Sequence, residues 1–166
     1  MARIRVYVRP SMRTSAGLAR TGVGDLVSVP FLRVYSLMRI GLRAKFAQDC
    51  IIDTGAPLTI FPVKQWKHFA EDIEWLSPDD SSLDSWLTVI TGKTGGERSC
   101  RIGRVVAEAF DLGPPLTFLP ASTLLALFEE TPNGDDQVLV GLHGGILAGR
   151  RLIVEADLGV GYLEEV

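Results

Sequence analysis

Asp53 is the acid in this 166-residue chain whose neighbours are arranged for chemistry. It follows the apolar run Cys50-Ile51-Ile52 and precedes Thr54, Gly55 and Ala56. A hydrophobic strand running into an acid, with a nearby glycine able to adopt backbone geometry closed to other residues, holds a carboxylate rigidly at the mouth of a cleft. Such a carboxylate can take a proton from a water, provided a second, protonated acid polarises the group under attack. The chain offers one acid of this kind, because Asp111-Leu112-Gly113 and Asp157-Leu158-Gly159 lack the hydroxyl residue and read as turns. A second copy of the chain across a two-fold axis would bring Asp53 against its own counterpart and supply the other carboxylate, so this chemistry would make a homodimer a condition of activity.

Other constellations are weaker. Thr91-Gly92-Lys93-Thr94 resembles part of a phosphate loop, but Leu87 occupies the position of the first glycine and no helical pattern follows. His143-Gly144-Gly145 echoes an oxyanion segment, yet no Gly-x-Ser-x-Gly elbow supplies a nucleophile. His68 has no visible partner and reads as a surface or core residue. Cys50 and Cys100 form no Cys-x-x-Cys pair and read as free, mostly buried thiols, so neither a metal site nor a disulfide framework is expected, and no cofactor.

The elements that must position Asp53 follow from periodicity. Residues 2–9 alternate, with Ile4, Val6 and Val8 on one side and Arg3, Arg5, Tyr7 and Arg9 on the other, the period of a half-buried strand. Residues 10–24 are rich in Ser, Thr, Gly and Arg and read as a connector. From Leu26, short apolar runs broken by Pro30, Ser36, Gly41 and Gln48-Asp49 predict several antiparallel strands, at 37–40, 42–46 and 50–52 among others. Val63, Trp66, Phe69, Ala70 and Ile73 recur at helical spacing after Pro62, so a helix with Trp66 and Phe69 facing the core is expected. Apolar runs at 86–90 and 102–106 flank a Gly-rich stretch and predict a hairpin. A strand is expected at 116–119, a short helix at 122–129, a turn at 132–135, a buried strand at 138–141 and closing strands at 152–154 and 161–163. There is no internal repeat and no second domain.

Ile51-Ile52-Asp53-Thr54-Gly55-Ala56 and its apolar sequel resemble the active-site loop of retropepsin-like aspartic proteases. A second hallmark is similar: Val138-Leu139-Val140-Gly141, then Gly145-Ile146-Leu147 and residues 151–157, resemble that family's hydrophobic-hydrophobic-Gly segment, short helix and following strand. The helix with Trp66 resembles bacterial members in particular. The resemblance spans roughly residues 26–165 and implies an all-β, closed barrel-like sheet with one or two short helices, equivalent to half of a pepsin-type bilobal enzyme. On this basis residues 25–166 are expected to be the protease domain, preceded by a partly flexible basic arm at 1–24. The implied activity is that of an aspartic endopeptidase acting on polypeptides with water activated by paired Asp53 carboxylates. The pair shares one proton, so activity at acid to neutral pH is expected.

The resemblance further implies that Asp53 is catalytic, that the Thr54 hydroxyl bonds across the dimer axis, that Gly55 offers backbone groups near the substrate, and that Ala56 completes the loop. Gly92, Thr94, Gly95 and Gly96 would form a flap over an extended peptide; taken without Asp53, the same cluster is equally an ordinary hairpin turn. Viral members carry an acid after the motif that pairs with an Arg after the later glycine, whereas this chain has Pro57 and Leu142. The strands at 2–9 and near Tyr162 are candidate substitutes as dimer ties. The rival function is a non-catalytic dimerisation or peptide-binding module, since fold alone does not establish activity.

Charge distribution narrows the partners. Net charge is −3, yet residues 1–45 hold nine Arg or Lys against one acid, Asp25, and the remainder eight against nineteen. No aromatic-interleaved basic patch or nucleic-acid motif accompanies the basic front, so a solvated tail and strands with outward arginines are expected rather than a nucleic-acid or membrane partner. No window approaches the ~20 apolar residues of a membrane helix and no secretory signal is evident, so a cytoplasmic location is expected.

Overall fold

The alternation at the start of the chain becomes β1 (Arg3–Pro10), with Ile4, Val6 and Val8 buried and Arg3, Arg5 and Arg9 exposed. The computed structural model describes residues 2–10, 17–20, 26–29, 32–76, 87–91, 97–132, 136–143 and 145–166. After β1 come β2 (Gly17–Arg20) and β3 (Leu26–Val29), which pair with each other as a separate two-stranded sheet. Then follow β4 (Leu32–Ile40), β5 (Phe46–Ile52), β6 (Thr59–Phe61), α1 (Val63–Trp66), a 3-10 helix (Lys67–Asp72) and β7 (Glu74–Trp75). The second half holds β8 (Leu87–Thr91), β9 (Glu97–Asp111), β10 (Thr117–Phe118), β11 (Ser122–Glu129), β12 (Leu139–Val140), β13 (Arg150–Glu155) and β14 (Val160–Glu165). The protein is all-β with a single short α-helix among the described residues.

The main sheet closes on itself. β9 pairs with β11, β11 with β6, β6 with β12, β12 with β5, β5 with β4, and β4 returns to β9 through Leu37↔Phe110 to Ile40↔Ala107. Inward side chains of this ring form the core, with Met38, Cys50, Phe61, Ala109, Leu124, Phe128 and Val140 fully buried. Phe61 stacks on Phe128 at 5.2 Å and meets Phe69 edge-on at 5.2 Å, and burying each such ring stabilises the fold by about 1.5–3 kcal/mol. Beyond β4 the sheet continues through β1 and β14 to β13. The strands at 2–9 and around Tyr162 therefore pair with each other inside one chain, Arg5 opposite Tyr162. The β2–β3 pairing joins residues 17–20 to 26–29.

Several local expectations are corrected. Residues 122–129 are strand β11, not a helix. β11 pairs along its whole length with β9 and at Ala126–Phe128 with β6, and Leu124, Ala126, Leu127 and Phe128 are all buried. A strand buried on both faces has no alternation to display and reads like a buried helix. The helix after Pro62 is a single α-turn that tightens into the 3-10 helix and kinks at Phe69 (φ −133, ψ 26), although Phe69 is buried and Trp66 packs on the core as its spacing implies. Residues 42–46 do not form their own strand: a turn at 41–45, with Gly41 at φ 83, joins β4 to β5. Ser36 and Gln48-Asp49 interrupt neither strand, and Ser36 is buried inside β4. The segment after Gly141 forms turns, with Ala148 N–H bonding Gly145 O at 3.0 Å, in place of the short helix implied by resemblance.

Among the described residues no helix is long and apolar enough to cross a membrane.

Candidate active site

Asp53 is the first residue beyond β5, where that strand runs parallel to β12 with Leu139 opposite Ile51 and Val140 opposite Ile52. Apolar side chains drive this placement: Ile51 and Ile52 are buried on β5, Val140 on β12 and Val138 just before it. The pairing continues past the strand end, since Ile51 N–H donates to Val138 O and Asp53 N–H to Val140 O, both at 2.9 Å. The backbone of Asp53 is thus fixed by the sheet while its half-buried side chain emerges at the sheet's end.

The loop that follows folds back on the acid. Gly55 N–H donates to Asp53 Oδ1 at 2.9 Å, and Ala56 N–H to Asp53 O at 3.2 Å. The first bond orients the carboxylate and leaves its charge partly shared with a backbone dipole. Thr54 and Gly55 are exposed and Ala56 is buried beneath them. Of the expected site residues, the structure brings Asp53, Thr54, Gly55 and Ala56 together in one turn; Gly92, Thr94, Gly95 and Gly96 lie outside the described residues. Flanking that Gly-rich segment, β8 and β9 pair as a hairpin with Thr91 opposite Glu97.

A second segment locks the loop from the other side. Leu142 N–H donates to Ala56 O at 3.0 Å and His143 N–H to Pro57 O at 2.7 Å. Each of these bonds contributes about 1 kcal/mol net. Gly141 is where the crossing occurs, and a Cβ there would lie 2.5 Å from Leu58 O and 2.8 Å from Leu58 Cα. No residue with a side chain fits between the two backbones. Thr59 stands beneath the crossing, fully buried, and its Oγ1 accepts from Gly141 N–H at 3.4 Å. Thr59 was not among the residues expected from sequence. The available signal was a hydroxyl within the apolar run Leu58-Thr59-Ile60-Phe61, since buried polar side chains take partners.

Arg150 also escaped the sequence reading. Its guanidinium donates to Ile146 O at 2.5 Å, Ser122 Oγ at 3.0 Å and Pro120 O at 2.6 Å. Partial burial lowers its affinity for a proton, opposed by the nearby Glu165 carboxylate. This clamp ties the turn at 145–149, which continues the segment crossing the Asp53 loop, to the start of β11.

Cys50, three residues before Asp53, belongs to the core. It is fully buried, and burial pushes its thiol up to about 12, which a hydrogen bond from Gln48 only partly offsets. A depression of about 440 Å³ lined by Arg43, Lys67, His68 and Asp72 lies on the 41–45 turn and the 3-10 helix, not at Asp53.

Among the described residues the site's chemistry rests on one fixed, half-buried carboxylate at a strand end, beside an exposed hydroxyl and exposed glycine backbone. Compared with family models and with curated proteins, the chain matches none of them.

Proposed function

We propose that the chain is an aspartic endopeptidase with a retropepsin-like fold, active as a homodimer in which Asp53 of each copy supplies one carboxylate. The observation that carries this is the Asp53 turn: an acid fixed at the end of β5, bonded to Gly55 N–H, and held by a glycine segment that crosses the loop at Gly141. A closed ring of strands with one such acid at its end is what half of a two-lobed enzyme requires, and the exposed Thr54 and Gly55 leave that end open to a second copy.

The chemistry needs both carboxylates. The ionised one takes a proton from water as the water oxygen bonds to the scissile carbonyl carbon, and the protonated one donates a hydrogen bond to the carbonyl oxygen. The tetrahedral intermediate then collapses, the C–N bond breaks, and the amine leaves with a proton from the dyad. Thr54 would support the pair across the axis and Gly55 would present backbone groups to an extended peptide. Residues 92–96, which connect the ends of the β8–β9 hairpin, would cover it. Two carboxylates face to face hold one proton between them, so cleavage favours acid to neutral pH.

The test is cleavage of a mixed peptide library by the purified protein from about pH 4 to pH 7, beside Asp53→Asn. Cutting by the wild type alone supports the peptidase. If neither protein cuts where a dimer is demonstrably present, the fold serves as a non-catalytic dimerisation or peptide-binding module.

A further inference from the structure

β13 ends the main sheet. It pairs with β14 on one side, Arg151 opposite Glu164 and Ile153 opposite Tyr162, and with no strand on its other side among the described residues. An edge of this length with its backbone groups unpaired is a template for another strand, and natural edges avoid this with proline, bulges or inward charges. β13, Arg-Arg-Leu-Ile-Val-Glu, has no proline, and Val154 is 43% exposed.

Which backbone groups face outward follows from the ladder. Val166 N–H donates to Gly149 O at 3.2 Å, a pair that continues the β13–β14 register by one step. Alternation along an antiparallel pair then turns the N–H and C=O of Arg151, Ile153 and Glu155 toward β14. Ile153 O agrees, lying 2.5 Å from where a Cβ on Gly161 of β14 would sit. Leu152 and Val154 therefore present their backbone groups to the open edge.

The same strand in a second copy fits this edge in an antiparallel register that also pairs its charges. With Ile153 on a two-fold axis, Leu152 of one chain exchanges backbone hydrogen bonds with Val154 of the other, which are the outward-facing residues on both. Arg151 then stands opposite Glu155 at each end, in the pairs where side chains approach most closely. Moving the axis one residue, to Leu152, also satisfies the backbone but sets Arg150 opposite Val154 and Arg151 opposite Ile153, and loses both charge pairs. Backbone alternation admits both registers, and the charge pattern selects the one about Ile153.

We infer that β13 is the interface through which two copies of this chain associate, edge to edge about Ile153. The inference deepens the homodimer of the proposed function, and it stands or falls on association rather than on cleavage. β13 is also joined to the active-site loop by the chain itself, through the turn at 145–149 and the crossing residues Gly141, Leu142 and His143.

The test is sedimentation velocity on the full chain with Arg151→Glu, Glu155→Arg, the double exchange, and Val154→Pro. Each single exchange sets like charges against each other at both ends and weakens the dimer roughly tenfold or more, and the double exchange restores it. An equimolar mixture of the two single variants also restores association, because each then meets its opposite in the other; this excludes misfolding as the cause of any loss. Val154→Pro removes an outward N–H without touching the β14 ladder, so it yields a folded monomer. A wild-type dimer unmoved by all of these changes overturns the inference while leaving the peptidase intact if it still cuts. A β13-dependent dimer that never cuts a peptide leaves the inference standing and removes the peptidase. A wild type that stays monomeric, or whose β13 edge captures another protein's strand instead, overturns both the interface and the homodimer.

Discussion

Gly141 passes so close to Leu58 that a methyl group on residue 141 would stand 2.5 Å from the Leu58 carbonyl oxygen, far inside contact distance. The neighbour is backbone of the Asp53 loop and cannot swing aside. The loop and the crossing segment are therefore one unit, and the position of Asp53 depends on the absence of a side chain at a residue far from it in sequence.

Gly141→Ala is expected to destabilise the fold by ~2–3 kcal/mol, as overpacking against a fixed neighbour does. The separation also pulls Leu142 and His143 from Ala56 and Pro57, so the proposed peptidase activity is expected to fall by about tenfold or more even where the protein remains folded. Urea denaturation and peptide cleavage measured on the same preparation check both. Wild-type stability in the variant would mean that the two backbones are not in contact.

Thr59→Val keeps the shape of the side chain and removes the acceptor for Gly141 N–H. A buried donor left without a partner costs ~1–3 kcal/mol. The expected result is a lower unfolding midpoint with faster amide exchange at Gly141, while Thr59→Ser preserves the exchange protection. Equal exchange in Thr59→Val and wild type would show that the 3.4 Å contact contributes nothing.

The two thiols set the behaviour in alkali. Burial pushes Cys50 up to about 12 and, with help from the Glu129 carboxylate, Cys100 up to about 11, against an ordinary value of 9.0. The folded chain keeps protons there that the unfolded chain releases. The stability this confers is complete below about pH 9 and declines as pH rises toward the folded values. Unfolding free energy measured from pH 8 to pH 11 is expected to fall, with a shallower slope in a Cys50→Ala, Cys100→Ala variant, and iodoacetamide at pH 8 is expected to label neither thiol before unfolding. Rapid labelling of the native protein would contradict the burial.

The parts of this architecture that were legible in the sequence are the ones written locally. The alternation from Arg3 to Arg9 announces a strand with one buried face, and Ile51-Ile52 running into Asp53-Thr54-Gly55 announces an acid at a strand end. Residues 122–129 were illegible because β11 is buried on both faces from Ala126 to Glu129, which erases the alternation there. The 63–73 segment carries a helical spacing, but the backbone breaks at Phe69 as that ring packs against Phe61 and Phe46. Thr59 and Arg150 act through contacts across the fold, to Gly141 and to Pro120 and Ser122, and a side chain's long-range partner leaves no periodic trace. The closure of β4 onto β9 is likewise a pairing between distant segments, Leu37 with Phe110 and Ile40 with Ala107.

The measurement that tests the central claim most directly is peptide cleavage by wild type, by Asp53→Asn, and by an equimolar mixture of the two after their subunits have exchanged. If each active site takes one Asp53 from each copy, only wild-type pairs cut, and the mixture retains about a quarter of the activity of the same total concentration of wild type. Retention of one half would mean that a single chain cuts alone, and activity in Asp53→Asn itself would remove Asp53 from the chemistry.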